Sequence, residues 1–141
     1  MADIGVGIRT YLLTKTAITD IVGTRIYPTI LPQNATLPAI VFDVFGGTPD
    51  DVLTGSSGSF RAVVDLECIS ANHITSNDLA EQVRLVTQGY FGAMGDEQIN
   101  AARLLSRSEN YVQPIDGSDV GRHVVSISLE ITHNQTIPTF I

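Results

Sequence analysis

The sequence has few of the residues on which common chemical sites depend. Cys68 is the single cysteine among 141 residues, which excludes an internal disulfide and a cysteine-based zinc cage. Tryptophan is absent, and Lys15 is the single lysine. With 15 acidic side chains the formal net charge is -7, whereas a groove that grips phosphate backbones needs clustered positive charge. Tight nucleic-acid binding is therefore not expected, although DNA could slide past such a surface.

Long apolar runs are missing as well. No stretch approaches the roughly 20 apolar residues that span a bilayer. Met1 to Gly5 lacks the basic region and apolar core of a signal peptide. We therefore expect no membrane contact and synthesis in a reducing cytoplasm, as a free protein or as part of a particle. Hydrophobic residues make up 43% and charged residues 16%, which is typical of a folded chain. One domain over residues 1–141 is expected.

A proline-rich segment at residues 23–45 is the main organising feature. Pro28, Pro32 and Pro38 restrict the backbone there and push the residues before them into extended conformations. The segment ends in Ala39–Phe45, which is mostly apolar on both faces. Such a run predicts a buried, central strand.

Apolar residues at helical spacing predict two helices before this segment. The first covers residues 3–15, with Asp3 as its N-cap. The second begins with Thr16 as its cap and ends at Gly23, because glycine takes a left-handed backbone conformation at little cost.

A third helix is predicted over residues 76–91. Thr75, just before it, and Asp78, in its first turn, have the spacing of a capping box. Its apolar positions recur every three or four residues and should cover one face of a sheet. These positions are Leu79, Val83, Val86 and Tyr90.

Alternating apolar residues predict three further strands, Phe60–Ser70, Ile99–Tyr111 and Gly121–His133. Runs of adjacent strands indicate an α+β fold, with an antiparallel β-sheet of about four strands and the helices packed on one face. Nine positions should face the core: Phe60, Ala62, Val64, Leu66, Cys68, Val125, Ile127, Leu129 and Ile131.

Two segments lie outside these elements. Residues 46–59 are rich in glycine and serine and are expected to form a long protruding loop between the first two strands. Residues 134–141 form an apolar C-terminal tail, which is unusual for a terminus. Residues 46–59 and 137–141 are candidate contacts with neighbouring subunits, and a merely disordered tip is the alternative for the first segment. The candidate interface residues are Asp50, Asp51, Val52, Leu53, Phe140 and Ile141.

No group of residues has the spacing of a catalytic, cofactor-binding or metal site. His123 and His133 lie on one predicted strand, about 33 Å apart at 3.3 Å per residue, and so cannot share a metal. Asp50 and Asp51 have no third ligand nearby in the sequence. Cys68 falls on the inward side of its strand and is expected to pack in the core.

The order of elements resembles the tail-completion, or tail-terminator, proteins of long-tailed bacteriophages. The resemblance rests on the N-terminal helix, on Ile21–Pro28 (I-V-G-T-R-I-Y-P) and on Leu37–Phe42 (L-P-A-I-V-F). It continues in the strand containing Asp65–Ile69, the helix after it and the closing strand, and so covers nearly the whole chain.

This resemblance implies a structural protein without catalytic residues or cofactors. It implies an α+β subunit of a ring, usually a hexamer, that caps the finished tail tube and joins it to the neck, with DNA passing through the pore. The implied partners are further copies of the chain, a tail tube protein and a neck or connector protein, at the tail–neck junction of the virion. Two other functions remain open. One is another ring-forming neck or tube protein, and the other is a small enzyme or ligand-binding module, which a deep polar pocket would favour.

Overall fold

A computed structural model of the protein describes residues 4–33, 35–52, 55–95, 97–113 and 121–134. Within these residues the chain forms three helices and six strands. In chain order they are α1 (Ile4–Leu13), α2 (Thr16–Val22), β1 (Ile26–Pro28), β2 (Ala39–Val52), β3 (Gly55–Ser70), α3 (His73–Thr87), β4 (Gly92–Met94), β5 (Glu97–Val112) and β6 (Arg122–Asn134).

The six strands form one sheet in the order β1-β2-β3-β6-β5-β4. All neighbours are antiparallel except β1 and β2, which are parallel. The α+β class predicted from the sequence is confirmed, whereas the count of about four strands is too low. The two strands that the prediction missed, β1 and β4, have three residues each, which is too short for an alternating pattern to be recognised.

The alternation in β3 and β6 identifies the core correctly. Ala62, Val64, Leu66 and Cys68 in β3 are fully buried. In β6 the alternating residues are buried as well: Val125, Ile127, Leu129 and Ile131. The register places Leu66 opposite Ile127 and Cys68 opposite Val125, so the inward side chains of the two central strands form adjacent rows.

Residues 46–52 and 55–59 differ from the predicted loop. They extend β2 and β3 into one long antiparallel hairpin, with register shifts between Phe45 and Thr48 and between Asp50 and Asp51. The antiparallel pairing of the two strands was predicted correctly. The prediction that an irregular loop connects them was wrong for residues 46–52 and 55–59. Glycine and serine favour loops in isolation, yet backbone pairing across a hairpin satisfies the donors and acceptors of both segments, and bulges absorb the extra residues.

The N-termini of the helices differ from the predicted ones. Helix α3 begins at His73, and the Asn72 side chain accepts a hydrogen bond of 2.8 Å from the Ile74 backbone N–H. Thr75 is therefore inside the first turn and does not cap the helix. Lys15, rather than Thr16, occupies the N-cap position of α2. The predicted cap at residue 3 of the first helix lies outside the described residues.

This assignment gives a direct test of the cap. Replacing Asn72 with alanine is expected to lower the free energy of unfolding by about 1 kcal/mol, because the Ile74 N–H loses its acceptor. Thr75→Ala is the matched control and should change stability less. Chemical denaturation of both variants measures the difference. An equal or larger loss of stability in Thr75→Ala would instead support Thr75 as the cap, as the sequence predicted.

The segments that carry the resemblance to the phage family build the parallel pair β1–β2. Gly23 ends α2 with φ 60°, a left-handed backbone angle that favours glycine. The chain then enters β1, where Ile26 lies opposite Ile40. The Arg25 guanidinium donates hydrogen bonds to the backbone oxygens of Pro38 at 2.9 Å and Ile21 at 3.3 Å. This arginine thus joins the end of α2 to the start of β2, which gives the two separated segments a common structural role.

Candidate subunit-contact surface

The six candidate interface residues fall partly within the described chain. Asp50, Asp51 and Val52 lie at the end of β2 and pair with Ser59, Ser56 and Gly55 of β3. The hairpin therefore brings these three positions together on one arm. The other three, Leu53, Phe140 and Ile141, lie outside the described residues, as does the apolar tail beyond Asn134. Contact of any of the six with a neighbour stays a prediction.

Both edges of the sheet carry long stretches that no described strand covers. On one side, β1 pairs with β2 only from Ile40 to Phe42, which leaves residues 43–52 at the edge. On the other side, β4 pairs with β5 only from Glu97 to Ile99. The Ala102 carbonyl accepts a hydrogen bond from the Gly89 N–H at 2.8 Å, and residues 103–112 then form the edge. An uncovered edge presents backbone donors and acceptors to a further strand.

Apolar side chains remain exposed along these same two stretches. On the β2 edge Val44 is 38% and Phe45 is 53% exposed. On the β5 edge Leu105, Tyr111 and Val112 are also exposed. A side chain of this kind is stabilised when a partner removes it from water. The sequence did not reveal the β5 positions as contact candidates, because an edge is defined only once the strand order is known.

Three carboxylates lie together on the sheet face opposite to the core-facing Leu66. Asp43 of β2 lies directly across from Asp65 of β3, and Glu67 is on the same face because side chains alternate along a strand. Burial raises the pKa of Glu67 above its usual value, and the negative charges of Asp43 and Asp65 raise it further. Like charges directly opposite each other destabilise a sheet, so this face carries an electrostatic cost in the isolated chain.

The raised pKa of Glu67 determines whether its contribution to stability rises or falls with pH. The folded state holds the Glu67 proton more tightly than the unfolded chain does. The free energy of unfolding contributed by this group therefore falls as the pH rises above about 4.5, the ordinary value. Glu67→Gln is expected to raise the melting temperature at neutral pH, and the gain should disappear as the pH falls below about 4.5.

Thermal unfolding over a pH series measures this effect. Glu130→Gln is the matched control, because Glu130 lies 3.5 Å from the Arg103 guanidinium and its removal takes away an attraction. A gain in Glu67→Gln that persists unchanged at acidic pH would contradict the electrostatic origin of the effect.

A polar network holds α3 against β5. Arg107 donates to the Asn77 side-chain oxygen at 2.6 Å, and its guanidinium lies 3.5 Å from the Glu81 carboxylate. Glu81 also forms an ion pair with Arg84 on its own helix, and this pair lowers the pKa of Glu81 through the hydrogen bond from Arg84. Exposed pairs of this kind contribute little to stability. Arg107 also lies 3.7 Å from the Glu109 carboxylate, so the two arginines are paired with two carboxylates.

The histidines are arranged differently from what their sequence positions suggest. His73 at the start of α3 lies beside His123 of β6, with ring centroids 5.4 Å apart, and Tyr111 contacts His123 at 4.9 Å. His73 also lies 3.4 Å from the Glu109 carboxylate. His133 is on the same strand as His123, as predicted, and is buried. Within the described residues no three His, Cys, Asp or Glu side chains are grouped so as to hold a metal ion.

Cys68 packs in the core, as its position in β3 predicted. Its side chain is fully buried, and this burial raises the pKa of the thiol to about 12. A thiol that stays protonated is a poor nucleophile and metal ligand. The described helices include none of the length and apolarity that crossing a membrane requires.

Comparison with known proteins places this fold in a family. The family model described as "Tail completion protein gp17" matches residues 6–113. A chain in the solved structure "Virion of native gene transfer agent (GTA) particle" has a similar fold, with a TM-score of 0.58 and 13% sequence identity, over 91% of this chain and 92% of that chain. No curated protein sequence matches.

Because the match covers most of the chain, the protein belongs to the tail completion protein gp17 family. It is therefore a structural component of a phage tail and associates with other virion proteins. The resemblance found in the sequence is confirmed. Two of the segments that carried it, Ile21–Pro28 and Leu37–Phe42, contribute to the end of α2, to β1 and to the start of β2.

Proposed function

We propose that the protein forms a ring, with six copies, that caps the end of the tail tube and joins it to the neck or head connector. DNA passes through the pore of this ring. The observation that carries the proposal is the family match over residues 6–113, since a tail completion protein acts where an assembled tail ends. On this proposal the protein is made in the host bacterial cytoplasm and resides at the tail–neck junction.

The charge and the surface of the subunit support this function. The formal net charge of -7 suits a pore through which DNA moves, because binding to phosphates depends on positive charge. The buried thiol of Cys68 and the pairing of Arg84 and Arg107 with carboxylates suit an architectural role without catalysis. The exposed apolar side chains on both sheet edges, among them Phe45 and Tyr111, offer surface for neighbouring subunits.

The proposal is tested by binding to defined assembly intermediates. Purified protein is mixed with tail tubes that lack it and, separately, with DNA-filled heads, and the particles are imaged by electron microscopy. We expect closed rings at one end of the tubes, with a ring size confirmed by native mass spectrometry. Tubes should be present because they can template the ring. Binding to filled heads without binding to tubes would instead identify a neck protein, and binding to neither would contradict the proposal.

The C-terminal tail gives a variant that should separate assembly from folding. Deletion of residues 137–141 is expected to weaken ring formation while leaving the melting temperature nearly unchanged. The reason is that β6 ends at Asn134, so the deletion removes no residue of this strand. Pro138 cannot extend a central ladder. Thermal unfolding and tube binding of the shortened chain provide the two measurements. A lower melting temperature with normal rings would assign the tail to the subunit's own core.

A further inference from the structure

The two uncovered edges of the sheet match each other in length and position. Residues 43–52 of β2 and residues 103–112 of β5 are equally long, and each is bounded at one end by a short covering strand. Soluble proteins usually block such edges, because an exposed strand pairs readily with another chain. A subunit with one free stretch on each side of its sheet has two different contact surfaces. Such surfaces suit heterologous contacts, which form a ring when the rotation from copy to copy closes.

We propose that the β2 edge of one subunit pairs with the β5 edge of the next, so that one β-sheet continues from copy to copy. The strand directions permit this pairing. Across the sheet order β2-β3-β6-β5 every neighbour is antiparallel, so β2 and β5 run in opposite directions. A neighbouring copy in the same orientation therefore offers β5 antiparallel to β2, without being turned over.

One register brings the exposed apolar positions together. If Asp43 lies opposite Val112 of the next copy, Val44 faces Tyr111 and Phe45 faces Asn110. In this register the two residues of each pair lie on the same side of the continued sheet. Val44 and Tyr111 belong to the same side as the core-facing residues, since Val44 pairs with Val64 and Tyr111 pairs with His123 in the row of Val125. The pairing buries two side chains that are 38% and 49% exposed in the isolated subunit.

The charges favour this pairing over one between identical edges. The β2 stretch contains Asp43, Asp50 and Asp51 and no basic residue, which gives a formal charge of -3, whereas the β5 stretch contains Arg103, Arg107 and Glu109, which gives +1. Two β2 edges would bring acids against acids, which is unfavourable. In the register above, the free end of β2 with Asp50 and Asp51 approaches Arg103. The inference rests on the proposed ring, because a repeating contact between unlike edges requires more than two copies.

Cysteine cross-linking tests the pairing in assembled protein. Val44→Cys and Tyr111→Cys are combined in one chain, and a second chain combines Phe45→Cys with Asn110→Cys on the opposite side of the sheet. Rings formed on tail tubes are oxidised and separated on a non-reducing gel. We expect a ladder of covalent multimers for both chains. Buried Cys68 should not interfere, because its pKa of about 12 keeps the thiol protonated.

Matched variants exclude other sources of a ladder. Val44 and Tyr111 of one subunit cannot join, since β3 and β6 separate them by three strand spacings, about 14 Å, and a disulfide needs Cα atoms within roughly 7 Å. The control combines Val44→Cys with Asn110→Cys, which would point to opposite sides, and should give no ladder. Thermal unfolding confirms that each variant is folded.

The outcomes separate the pairing from the proposed function. Rings that give no ladder with either matched pair overturn the edge pairing and leave the ring intact. Dimers from Val44→Cys alone would show contact between two β2 edges and would also overturn it. A ladder of equal strength in the control overturns the register. A failure to form any ring, with or without tubes, overturns the proposed function and the pairing together.

Discussion

Replacing Val83 with aspartate is expected to destabilise the subunit by about 3–5 kcal/mol, which is the range measured when a buried charge is left without a partner. Val83 is fully buried in the middle of α3, on the side that packs against β3 and β6. The same buried stripe continues in Leu79 and Ala80. An aspartate there must either stay charged in an apolar environment or bind a proton, and both alternatives favour the unfolded chain.

Leu85→Asp provides the matched control for this variant. Leu85 lies two residues further along the same helix and is exposed, so the same aspartate remains in water there. Denaturant unfolding of both variants at neutral pH should show a large loss for Val83→Asp and a small one for Leu85→Asp. The loss in Val83→Asp should shrink in acid, where the carboxyl binds a proton. Equal losses would mean that α3 does not cover the sheet through this stripe.

The parts of the fold that the sequence predicted are those in which one face is buried. Leu66 and Ile127 alternate with polar residues because their side of β3 and β6 is buried in the core, and burial of one side produces a period of two. Val83 belongs to a helical stripe for the same reason. The ends of the elements were predicted less well. Asn72 and Thr75 are both common capping residues, and only the backbone geometry decides between them.

Other parts depend on pairing between distant segments, which composition does not reveal. The glycine- and serine-rich residues 46–52 and 55–59 become strands because each lies opposite the other. Short strands such as Ile26–Pro28 exist because Ile40–Phe42 lies beside them. The contact surface follows the same rule, since an edge exists only after all six strands are ordered. The family was recognised because its characteristic segments are contiguous in sequence.

Gly7→Ala is the second variant for which we expect a large effect, and its sign is opposite to the usual one. In most helices such a change is favourable by roughly 0.5–1 kcal/mol, because alanine has less backbone freedom to lose. Here α1 lies close against β4. A Cβ atom on Gly7 would be 2.6 Å from the backbone oxygen of Met94, which real structures do not tolerate. Met94 is fully buried, and its carbonyl cannot retreat without moving the pairing of β4 with β5.

We therefore expect Gly7→Ala to be destabilising by about 1–3 kcal/mol, the usual range for an overfilled contact. Val6→Ala is the matched control, since Val6 precedes Gly7 on the same helix and is exposed. Denaturant unfolding gives the loss, and hydrogen exchange should locate it, with faster exchange along Gly92–Met94 in Gly7→Ala than in the control. A Gly7→Ala protein more stable than the original would show that α1 is not packed against β4, because the helical advantage of alanine would then be unopposed.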